Sequence, residues 1–512
     1  TTTTTTVTPI TSALTIGQDS VTGTTANDTI TGARVDTVQT WNSTDTIAGG
    51  DGTDSFSATI AANVTPGASG VTGVENLTIT NVAGASRTVT FSTASVTGID
   101  DVTNITNLGS TASSDLVLTR IVDLAEVTLE NTVAATTITF ADTVLAGTAD
   151  TFTLNVNGNT GAVNIGNSSG AGTGIETLVI NSNGATSTFS AVNLDATPAT
   201  LTIKGSAALD INAAAAFPKM ATLNAADFTG DLDILLGADT VTGTADAKTL
   251  TFGSGADDLD LGALDPGEIG VLTVNMGAGN DATDLDNYAD TTMVIDGGDG
   301  TDSLTTATAI TAANGTLISN YETFIFGQNG GTQDLSLLAT NASFTSVNSA
   351  AATTTMNNAG ANVATLNLVG GVATTAATFD RLIDNTTNAL TVKATTANMT
   401  LTGDLTIDDE ETVTFDSSSF DLVVQGDIAT ADATSIILTG DNIITLGANA
   451  SKEFSSVKIT SIDASGVTGT EAVSVFAINN TSAMTVTGPA STGTFIFDGG
   501  TKADTITAGG GI

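Results

Sequence analysis

Cysteine and histidine are both absent from the 512 residues of this chain, and basic side chains are scarce. The two absences exclude disulfides, thiol nucleophiles, histidine bases and the usual zinc sites. Only 11 Lys and Arg stand against 54 Asp and Glu, which gives a formal net charge of -43. We therefore expect no nucleic-acid partner, because phosphate binding needs basic patches. The chemistry left to the chain is that of carboxylates and hydroxyls.

Aromatic residues are also few, at 4%, and no apolar run is long enough to span a membrane. Charged residues are only 13%, so the chain lacks the profile of a disordered acidic tail and is expected to fold. Its apolar residues are mostly Ala, Val, Ile and Leu, and they alternate with Thr. This alternation predicts β-strands that bury one face against a thin core, repeated many times along the chain.

Short strands of the form x-Thr-Leu-Thr-Ile recur, for example ENLTI from Glu75, ETLVI from Glu176 and ATLTI from Ala199. Neighbouring copies lie roughly 20 to 27 residues apart, which is the period of a solenoid, a propeller or an array. Turns of Asn, Gly and Ser join the strands and favour an all-β parallel β-solenoid, of the β-helix or β-roll kind. A stack of β-sandwich domains is the alternative, but sandwiches usually bury aromatic anchors, and this chain has one Trp and two Tyr.

A ladder of aspartates precedes the first of these strands. Asp54, Asp45 and Asp36 lie nine residues apart, each two residues ahead of an apolar one, and Asp28 repeats the pattern one residue short. The 18-residue interval from Asp36 to Asp54 recurs in two further pairs, Asp239 with Asp257 and Asp284 with Asp302. A coil of two nonapeptides would stack residues 18 apart on one edge. Stacked carboxylates repel unless a cation bridges them.

The segment GGDGTDS occurs twice, at Gly49–Ser55 and Gly297–Ser303, and it matches the G-G-x-G-x-D nonapeptide of RTX proteins. Oxygen ligands in a flexible glycine turn suit Ca²⁺, which accepts about six to eight oxygens, many of them backbone carbonyls. We therefore predict several calcium ions at RTX-like turns, although the aspartates are also able to cap tight turns by themselves. The candidate metal-binding residues are Asp28, Asp36, Asp45, Gly50, Asp51, Gly52, Asp54, Asp239, Gly255, Asp257, Asp258, Gly279, Asp281, Asp284, Asp296, Gly298, Asp299, Gly300, Asp302, Asp498 and Asp504.

The predicted organisation follows these motifs. RTX-like nonapeptide coils take residues 1–60, a β-solenoid 61–235, RTX-like calcium-rich coils 236–305, a second β-solenoid 306–495, and the start of a further RTX array 496–512. The sequence opens without a Met or a signal peptide, and the last array breaks off within a repeat. We therefore expect this chain to be a piece of a longer protein.

RTX turns scattered through an acidic, Cys-free chain rich in Thr, Ala and Gly, with GGDGTDS followed by a GVENLTI or NYETFIF strand, resemble the type I-secreted S-layer proteins of Gram-negative bacteria. The resemblance implies an extracellular structural protein of the bacterial cell surface, without catalytic residues. It implies Ca²⁺-dependent self-assembly into a two-dimensional lattice of identical copies. It also implies an N-terminal anchor to lipopolysaccharide and a C-terminal secretion signal, neither of which is recognisable in this sequence.

Three other functions fit parts of the sequence. A polysaccharide-acting β-helix enzyme would use a carboxylate cluster such as the run from Asp408 to Glu411, but sugar sites need aromatic or basic residues, and these are few. An RTX adhesin or extracellular matrix protein is the second alternative, although adhesins tend toward near-identical tandem domains. Ice binding needs a flat, regular array of threonines, and the drifting interval between strands argues against it.

Overall fold

The computed structural model describes residues 7–67, 70–93, 95, 97–169, 174–195, 198–212, 217, 220–236, 246–262, 269–286, 292–338, 343–371, 375–448 and 452–510. Contacts divide the chain into two units, Thr1–Gly279 (unit 1) and Asn280–Ile512 (unit 2). Short 3₁₀ helices are described at Gly315–Leu317 and Leu335–Leu337 of unit 2. Within the described ranges, no helix is long and apolar enough to cross a membrane.

Unit 1 contains 25 described strands, most of them three to seven residues long. In chain order they are β1 Thr11–Ala13, β2 Ser20–Thr22, β3 Thr29–Gly32, β4 Thr46–Ala48, β5 Ser55–Ile60, β6 Val71–Thr72, β7 Asn76–Asn81, β8 Arg87–Thr90, β9 Asn104–Leu108, β10 Leu116–Ile121, β11 Glu126–Glu130, β12 Thr136–Phe140, β13 Thr151–Asn157, β14 Val163–Asn167, β15 Thr177–Ser182, β16 Ser187–Thr188, β17 Val192–Leu194, β18 Thr200–Gly205, β19 Leu209–Asp210, β20 Thr222–Asn224, β21 Leu232–Leu235, β22 Asp246–Thr251, β23 Asp258–Asp260, β24 Ile269–Asn275 and β25 Ala278–Gly279.

The strands of unit 1 stack side by side into sheets that run along the unit. The longest sheet has twelve strands, in the order β1-β3-β5-β7-β9-β11-β13-β15-β18-β20-β22-β24. The other faces are formed by β2-β4-β6, by β17-β14-β12-β10-β8 and by β16-β19-β21-β23. Because the chain visits each face in turn and returns one rung further on, neighbouring strands of a sheet are parallel, as in β5 and β7.

Unit 2 contains 24 described strands of the same kind. In chain order they are β26 Ala282–Asp284, β27 Met293–Asp296, β28 Asp299–Gly300, β29 Ser303–Thr306, β30 Ile318–Ser319, β31 Thr323–Phe326, β32 Gly331–Asp334, β33 Ser346–Ser349, β34 Thr353–Ala359, β35 Thr365–Val369, β36 Ala376–Arg381, β37 Ala389–Thr395, β38 Met399–Leu401, β39 Leu405–Thr406, β40 Thr412–Ser417, β41 Leu422–Val424, β42 Ile428–Ala429, β43 Ser435–Gly440, β44 Ile444–Leu446, β45 Ser461–Val467, β46 Val473–Phe476, β47 Thr485–Thr487, β48 Phe495–Asp498 and β49 Thr505–Thr507.

The longest sheet of unit 2 has eleven strands, in the order β26-β29-β31-β33-β35-β37-β40-β43-β45-β47-β49. Two five-stranded sheets, β32-β34-β36-β39-β42 and β38-β41-β44-β46-β48, and the pair β27-β30 form the other faces. The described strand pairings inside this unit are again parallel, as in β40 and β43.

The alternation of Thr with aliphatic residues explains the strands. In β7 every second residue is buried, so Leu77 faces the core while Thr78 faces outward. Leu77 lies in register with Phe56 of β5 and Ile105 of β9, and such columns of apolar side chains form the core. The single tryptophan, Trp41, packs edge-on against Phe56 with 5.0 Å between the ring centroids. A narrow core of this kind needs few aromatic residues.

The register confirms the predicted fold class. Both units are parallel β-solenoids, with almost no helix among the residues that the structure describes and about 19 turns. Coil length varies widely, since Ile10 contacts Asp28 on the next rung, 18 residues on, whereas Asn76 contacts Asn104 on the next rung, 28 residues on. The strands stay in register because the differences in coil length lie in the connections between the strands.

Candidate metal centre

The residue that immediately precedes a strand of the long sheet is often acidic. Asp28, Asp54 and Glu75 hold this position before β3, β5 and β7 and lie on successive rungs; we call this position the strand-start column. The main-chain N–H of Asp28 donates to Asp54 Oδ1 at 2.6 Å, and the N–H of Asp54 donates to Glu75 Oε2 at 2.7 Å. Each carboxylate therefore satisfies a donor of the rung before it, through a charge-assisted hydrogen bond.

Unit 2 repeats this arrangement with its own strand-start column. The N–H of Asp281 donates to Asp302 Oδ1 at 2.8 Å, and the N–H of Asp302 donates to Glu322 Oε2 at 2.8 Å. The same contact occurs elsewhere in the chain from Asp150 to Glu176, from Asn388 to Glu411 and from Met484 to Asp504. An acidic residue directly before a strand is therefore a general device of this solenoid for joining consecutive rungs.

A glycine five residues ahead of the column aspartate leaves room for the second carboxylate oxygen. A Cβ on Gly49 would lie 2.6 Å from Asp54 Oδ2 and 1.7 Å from the carbonyl oxygen of Gly73 on the next rung. The geometry recurs one rung earlier, where Gly23 adjoins Asp28 Oδ2 at 2.6 Å, and at Gly499 beside Asp504 Oδ2 at 2.5 Å. At each place a carboxylate oxygen crowds a point that only glycine leaves open.

The turn at 49–54 folds tightly over the preceding rung. Gly50 has φ 108° and Gly52 has φ 126°, a region that other residues rarely adopt. A Cβ on Gly50 would lie 2.1 Å from the carbonyl oxygen of Thr24, so the backbone approach also requires glycine there. The N–H of Asp51 donates to the same Thr24 oxygen at 3.1 Å. The RTX-like turn thus places backbone carbonyls next to the strand-start column.

In these columns Asp54 Oδ2 and Asp302 Oδ2 are buried and accept no hydrogen bond from any residue that the structure describes. Both residues are 0% exposed. Burial raises the pKa of Asp302 to about 6, with Glu322, Asp296 and Asp299 adding repulsion against the hydrogen bond from Asp281. Burial also raises the pKa of Asp54, with repulsion from Asp28 and Glu75. Repulsion between neighbouring carboxylates and burial thus both act against the charged forms of these two residues.

Asp28 has a different environment from Asp54, although both are buried members of one column. Burial acts to raise the pKa of Asp28, but hydrogen bonds from Thr24 and Ile10 outweigh it and lower the pKa below its usual value. The N–H of Thr24 donates to Asp28 Oδ2 at 2.5 Å, and the N–H of Ile10 donates to Oδ1 at 2.6 Å. Both oxygens of Asp28 are therefore satisfied by the protein alone.

The predicted 18-residue stack of Asp36 on Asp54 is wrong. The rung of Asp54 lies on the rung of Asp28, 26 residues earlier, as the pairing of Thr29 with Ser55 shows. Asp36 is exposed at φ 58°, in a turn that an isolated bridge from Val35 to Val38 closes. This excursion makes the coil longer than the preceding one, 26 residues against 18, and moves Asp36 out of register.

Asp45 and Asp284 also lie outside the columns that contain Asp54 and Asp302. Asp45 is buried in a second column, where Oδ1 accepts the N–H of Asp19 at 2.9 Å and Oδ2 accepts that of Asn42 at 2.7 Å. Asp284 ends β26, where it accepts the N–H of Asp286 at 2.7 Å, so the residue that shares a column with Asp302 is Asp281. The predicted ligand Asp239 lies outside the described residues.

Asp257 is held like a member of a strand-start column. Its Oδ1 accepts the N–H of Leu232 at 2.8 Å and its Oδ2 accepts that of Gly253 at 3.3 Å. Burial raises the pKa of Asp257 to about 6, against these hydrogen bonds and with added repulsion from Asp231. Gly255 is required by close packing, because a Cβ there would lie 2.1 Å from the carbonyl oxygen of Gly230.

The remaining predicted residues lie on the turns and strand ends around the columns. Asp296 Oδ1 accepts hydrogen bonds from Asn320 Nδ2 at 2.6 Å and from the N–H of Gly298 at 3.2 Å. The exposed carboxylates are those of Asp51, Asp258, Asp299 and Asp498. Positive φ angles occur at Gly279, Gly298 and Gly300. Asp504 Oδ1 accepts the N–H of Met484 at 2.9 Å.

An open acidic groove of about 690 Å³ adjoins the turn at 49–54. Asp51, Glu75, Asp101 and Asp123 line it, one from each of four successive rungs. Asp101 Oδ2 accepts the N–H of Gly73 at 3.0 Å, so this carboxylate is anchored to the rung before it. The groove surrounds the buried column with further negative charge.

The sequence analysis did not identify a second acidic cluster, which lies in unit 2. Carboxylate oxygens of Asp384, Asp409 and Asp432 lie within 4.8 Å of one another, and Lys458 forms an ion pair with Asp432. Burial raises the pKa of the neighbouring Asp380 to about 6, as does its hydrogen bond with Asp409. The regular interval from Asp409 to Asp432, one coil of this region, was the sequence signal for the contact.

Glu75 and Glu322 were also missed as members of the candidate site. Both precede strands of the x-Thr-Leu-Thr-Ile type, and this position in the sequence could have identified them as members of the site.

Comparison with known proteins gives no family: no protein-family model matches the chain, and no curated protein matches it in sequence.

Proposed function

We propose that this chain is a structural protein of the bacterial cell surface, which folds around several Ca²⁺ ions and assembles with copies of itself into a two-dimensional S-layer lattice. The observation that carries the proposal is the pair of fully buried carboxylate oxygens without a partner, Asp54 Oδ2 and Asp302 Oδ2. Each lies in a column of carboxylates on successive rungs, at an RTX-like turn. An unpaired buried charge of this kind is costly and requires compensation.

The residues at Asp54 fit a calcium ion. Asp54 Oδ2 and the Gly73 carbonyl oxygen converge beside the Cα of Gly49, and both are acceptors. Carboxylate and carbonyl oxygens are the ligands that Ca²⁺ prefers, and it tolerates the irregular geometry of a turn better than Mg²⁺ does. Asp54 and Gly73, with Asp302 in unit 2, are therefore the residues that would hold calcium. Bound there, Ca²⁺ would supply positive charge between acceptors that otherwise repel.

The whole-chain charge supports a role for calcium in assembly. A net charge of -43 opposes both the compact state and contact between copies. Cations within the columns and in the acidic groove lined by Asp51, Glu75, Asp101 and Asp123 would offset this repulsion. Copies that repel each other in chelator would then be able to meet.

Extracellular localisation and lipopolysaccharide anchoring belong to the same proposal. Their support is the likeness of the RTX-like turns and of the Thr-rich, Cys-free composition to type I-secreted S-layer proteins. The parallel β-solenoid of both units is compatible with this role, because sheets of many stacked rungs offer long faces for lateral contact.

The proposal is tested with the purified chain in chelator and in a Ca²⁺ series, by isothermal titration calorimetry and by negative-stain electron microscopy. We expect saturable calcium binding, followed by ordered sheets. The variants Asp54→Asn and Asp302→Asn should lower the number of bound ions, whereas Asp36→Asn, which changes an exposed turn aspartate in the same way, should leave it unchanged. Calcium binding without sheets would favour an adhesin, and absence of binding would contradict the proposal.

A further inference from the structure

The outer face of the twelve-stranded sheet of unit 1 carries very little charge. Among its strand residues with described side chains, the outward carboxylates are Glu126 and Glu130, both on β11, and the outward cation is Lys204. The rest of the outward residues are mainly Thr, Ser and Asn. This composition contrasts with that of a chain containing 54 acidic residues.

Threonines form a straight file along this face. The register aligns six of them on consecutive strands, Thr151, Thr177, Thr200, Thr222, Thr249 and Thr273. The coils between them differ in length, since Thr222 follows Thr200 more closely in the sequence than Thr249 follows Thr222. The drifting interval in the sequence therefore does not disturb the array, because the connections on the other faces absorb it.

A second file runs parallel to the first, two residues further along each strand. Its members are Thr153, Val179, Thr202, Asn224, Thr251 and Asn275. Neighbouring strands are about 4.8 Å apart, and the two files are roughly 6.7 Å apart, so the two files form a regular surface of short, uncharged side chains, with Lys204 of β18 beside them.

Other carboxylates of unit 1 lie at the strand starts of this sheet, where hydrogen bonds to the next rung hold them, and on other sheets. Asp210, Asp233 and Asp258 lie side by side on β19, β21 and β23, at the outer face of a different sheet. Burial raises the pKa of Asp233, and repulsion from Asp210 and Asp260 adds to it. Two copies that met through that sheet would bring these charges together, which is unfavourable.

We propose that the outer face of the twelve-stranded sheet is the surface through which one copy of this chain contacts another. Twelve strands about 4.8 Å apart, with two or three outward residues each, offer roughly 50 Å by 15 Å, on the order of 800 Å², which is the area each partner buries in a standard interface. The five-stranded sheet β17-β14-β12-β10-β8 is also poor in charge but offers less than half of that area. The occupant is a second copy, because the strands of this face bring few carboxylates together when two identical acidic chains meet, the outward ones being Glu126 and Glu130.

This inference rests on the proposed self-assembly and specifies its surface. The first test introduces like charges at the centre of the face, with Thr200→Glu and Thr222→Glu combined in one variant. The control combines Thr88→Glu and Thr137→Glu, which lie on the outer face of β8 and β12 and are similarly half-buried. Calcium binding and circular dichroism are measured first, and assembly is then followed by light scattering.

We expect the Thr200/Thr222 variant to bind calcium as the unmodified chain does but to stay monomeric, while the Thr88/Thr137 control assembles. If both variants assemble, the surface is wrong although the proposed function stands. If the unmodified chain does not assemble, the proposed function fails, and the inference fails with it. Thermal hysteresis that Thr200→Glu abolishes, with assembly unaffected, would overturn the inference and assign the threonine files to ice binding.

A second measurement avoids any loss of folding in the charged variants. Because the chain has no cysteine, Thr222→Cys introduces a single thiol on the face, and Thr137→Cys introduces one on the control sheet. On calcium-induced assembly the maleimide labelling rate at position 222 should fall at least about tenfold, since interface cores exclude solvent. The rate at position 137 should stay within about twofold. Equal protection at both positions, or at neither, would overturn the inference.

Discussion

The main-chain N–H of Asp28 donates a 2.6 Å hydrogen bond to Asp54 Oδ1, across one full coil of 26 residues. This contact fixes the register of two rungs and leaves the other oxygen of Asp54 buried without a partner. Oδ1 of Asp54 thus has a structural role, and Oδ2 is the proposed calcium ligand. Substitutions that preserve one oxygen and change the other are able to separate the two roles.

Asp54→Asn should separate them. The amide keeps an oxygen for the N–H of Asp28 and places an N–H group near the carbonyl of Gly73, so the chain in chelator should gain about 1 kcal/mol of unfolding free energy at pH 7.5. The stabilisation by calcium at this site, about 2.7 kcal/mol at a hundredfold excess over Kd, should disappear. Urea unfolding with and without Ca²⁺ measures both effects. Asp36→Asn serves as the control and should shift neither value by more than about 0.5 kcal/mol.

Stability in chelator should depend on pH in a defined direction. The folded-state pKa values of Asp257 and Asp302 are raised to about 6, so their protonated forms stabilise the fold, and this stability is lost as pH rises from about 4 through 6. Asp28 has a lowered folded-state pKa, so its charged form stabilises the fold, and this stability is lost as the pH falls below about 4. Urea unfolding midpoints measured at a series of pH values between about 4.5 and 7.5 test the loss of stability that Asp257 and Asp302 predict. The double variant Asp257→Asn and Asp302→Asn should reduce this slope and leave the contribution of Asp380, whose pKa is also raised to about 6. A midpoint that rises with pH in the unmodified chain would contradict the assignment.

Gly49→Ala should be poorly tolerated. The added Cβ would overlap the Gly73 carbonyl oxygen at 1.7 Å and Asp54 Oδ2 at 2.6 Å, which requires the backbone of two rungs to move. We expect a loss of about 3 kcal/mol or more and weaker calcium binding. Gly17→Ala is the matched control, because its nearest atom would be 3.6 Å away. Thermal unfolding of both variants makes the comparison, and equal melting temperatures would argue against a crowded site at Gly49.

Unit 2 contains a buried ion pair whose loss should be costly. Arg381 Nε lies 2.5 Å from Glu410 Oε1, both side chains are almost fully buried, and the guanidinium also stacks on Phe379. Arg381→Met leaves the Glu410 carboxylate unpaired and should cost about 3–5 kcal/mol, most of which should return when Glu410→Met is added. Lys452→Met removes an exposed ion pair, which solvent screens, and should leave the denaturant midpoint nearly unchanged. Denaturant unfolding ranks the three variants.

The fold was predictable because its signal is local and repeated. The alternation in a strand such as ATLTI from Ala199 indicates which side chains face the core. A chain with one Trp has few residues to fill a wide core, which favours the thin core of a solenoid. The stacking of particular aspartates was not predictable in the same way. It depends on coil length, and one turn at Asp36 lengthened its coil beyond two nonapeptides and replaced the expected partner by Asp28.

The candidate site was predictable in part for a related reason. The GGDGTDS motif identified Asp54 and Asp302 by type and spacing, whereas Gly49, the first residue of the motif, was not among the candidate site residues. Glu75 and Glu322 escaped notice because they lie outside the motif and join the site through the rung that follows. The same applies to Asp384, Asp409 and Asp432, which converge from separate coils whose register the sequence alone does not fix.

The most direct test of the central claim is an X-ray structure of the calcium-loaded chain, with anomalous scattering recorded to locate the ions. We expect anomalous peaks within about 2.3–2.6 Å of Asp54 Oδ2 and Asp302 Oδ2, the Ca²⁺–oxygen distance, with backbone carbonyls completing each shell. Carboxylate oxygens that lie more than about 3 Å from any ion, in crystals grown at millimolar Ca²⁺, would contradict the account. The strand-start columns would then be turn and register devices held by protons alone.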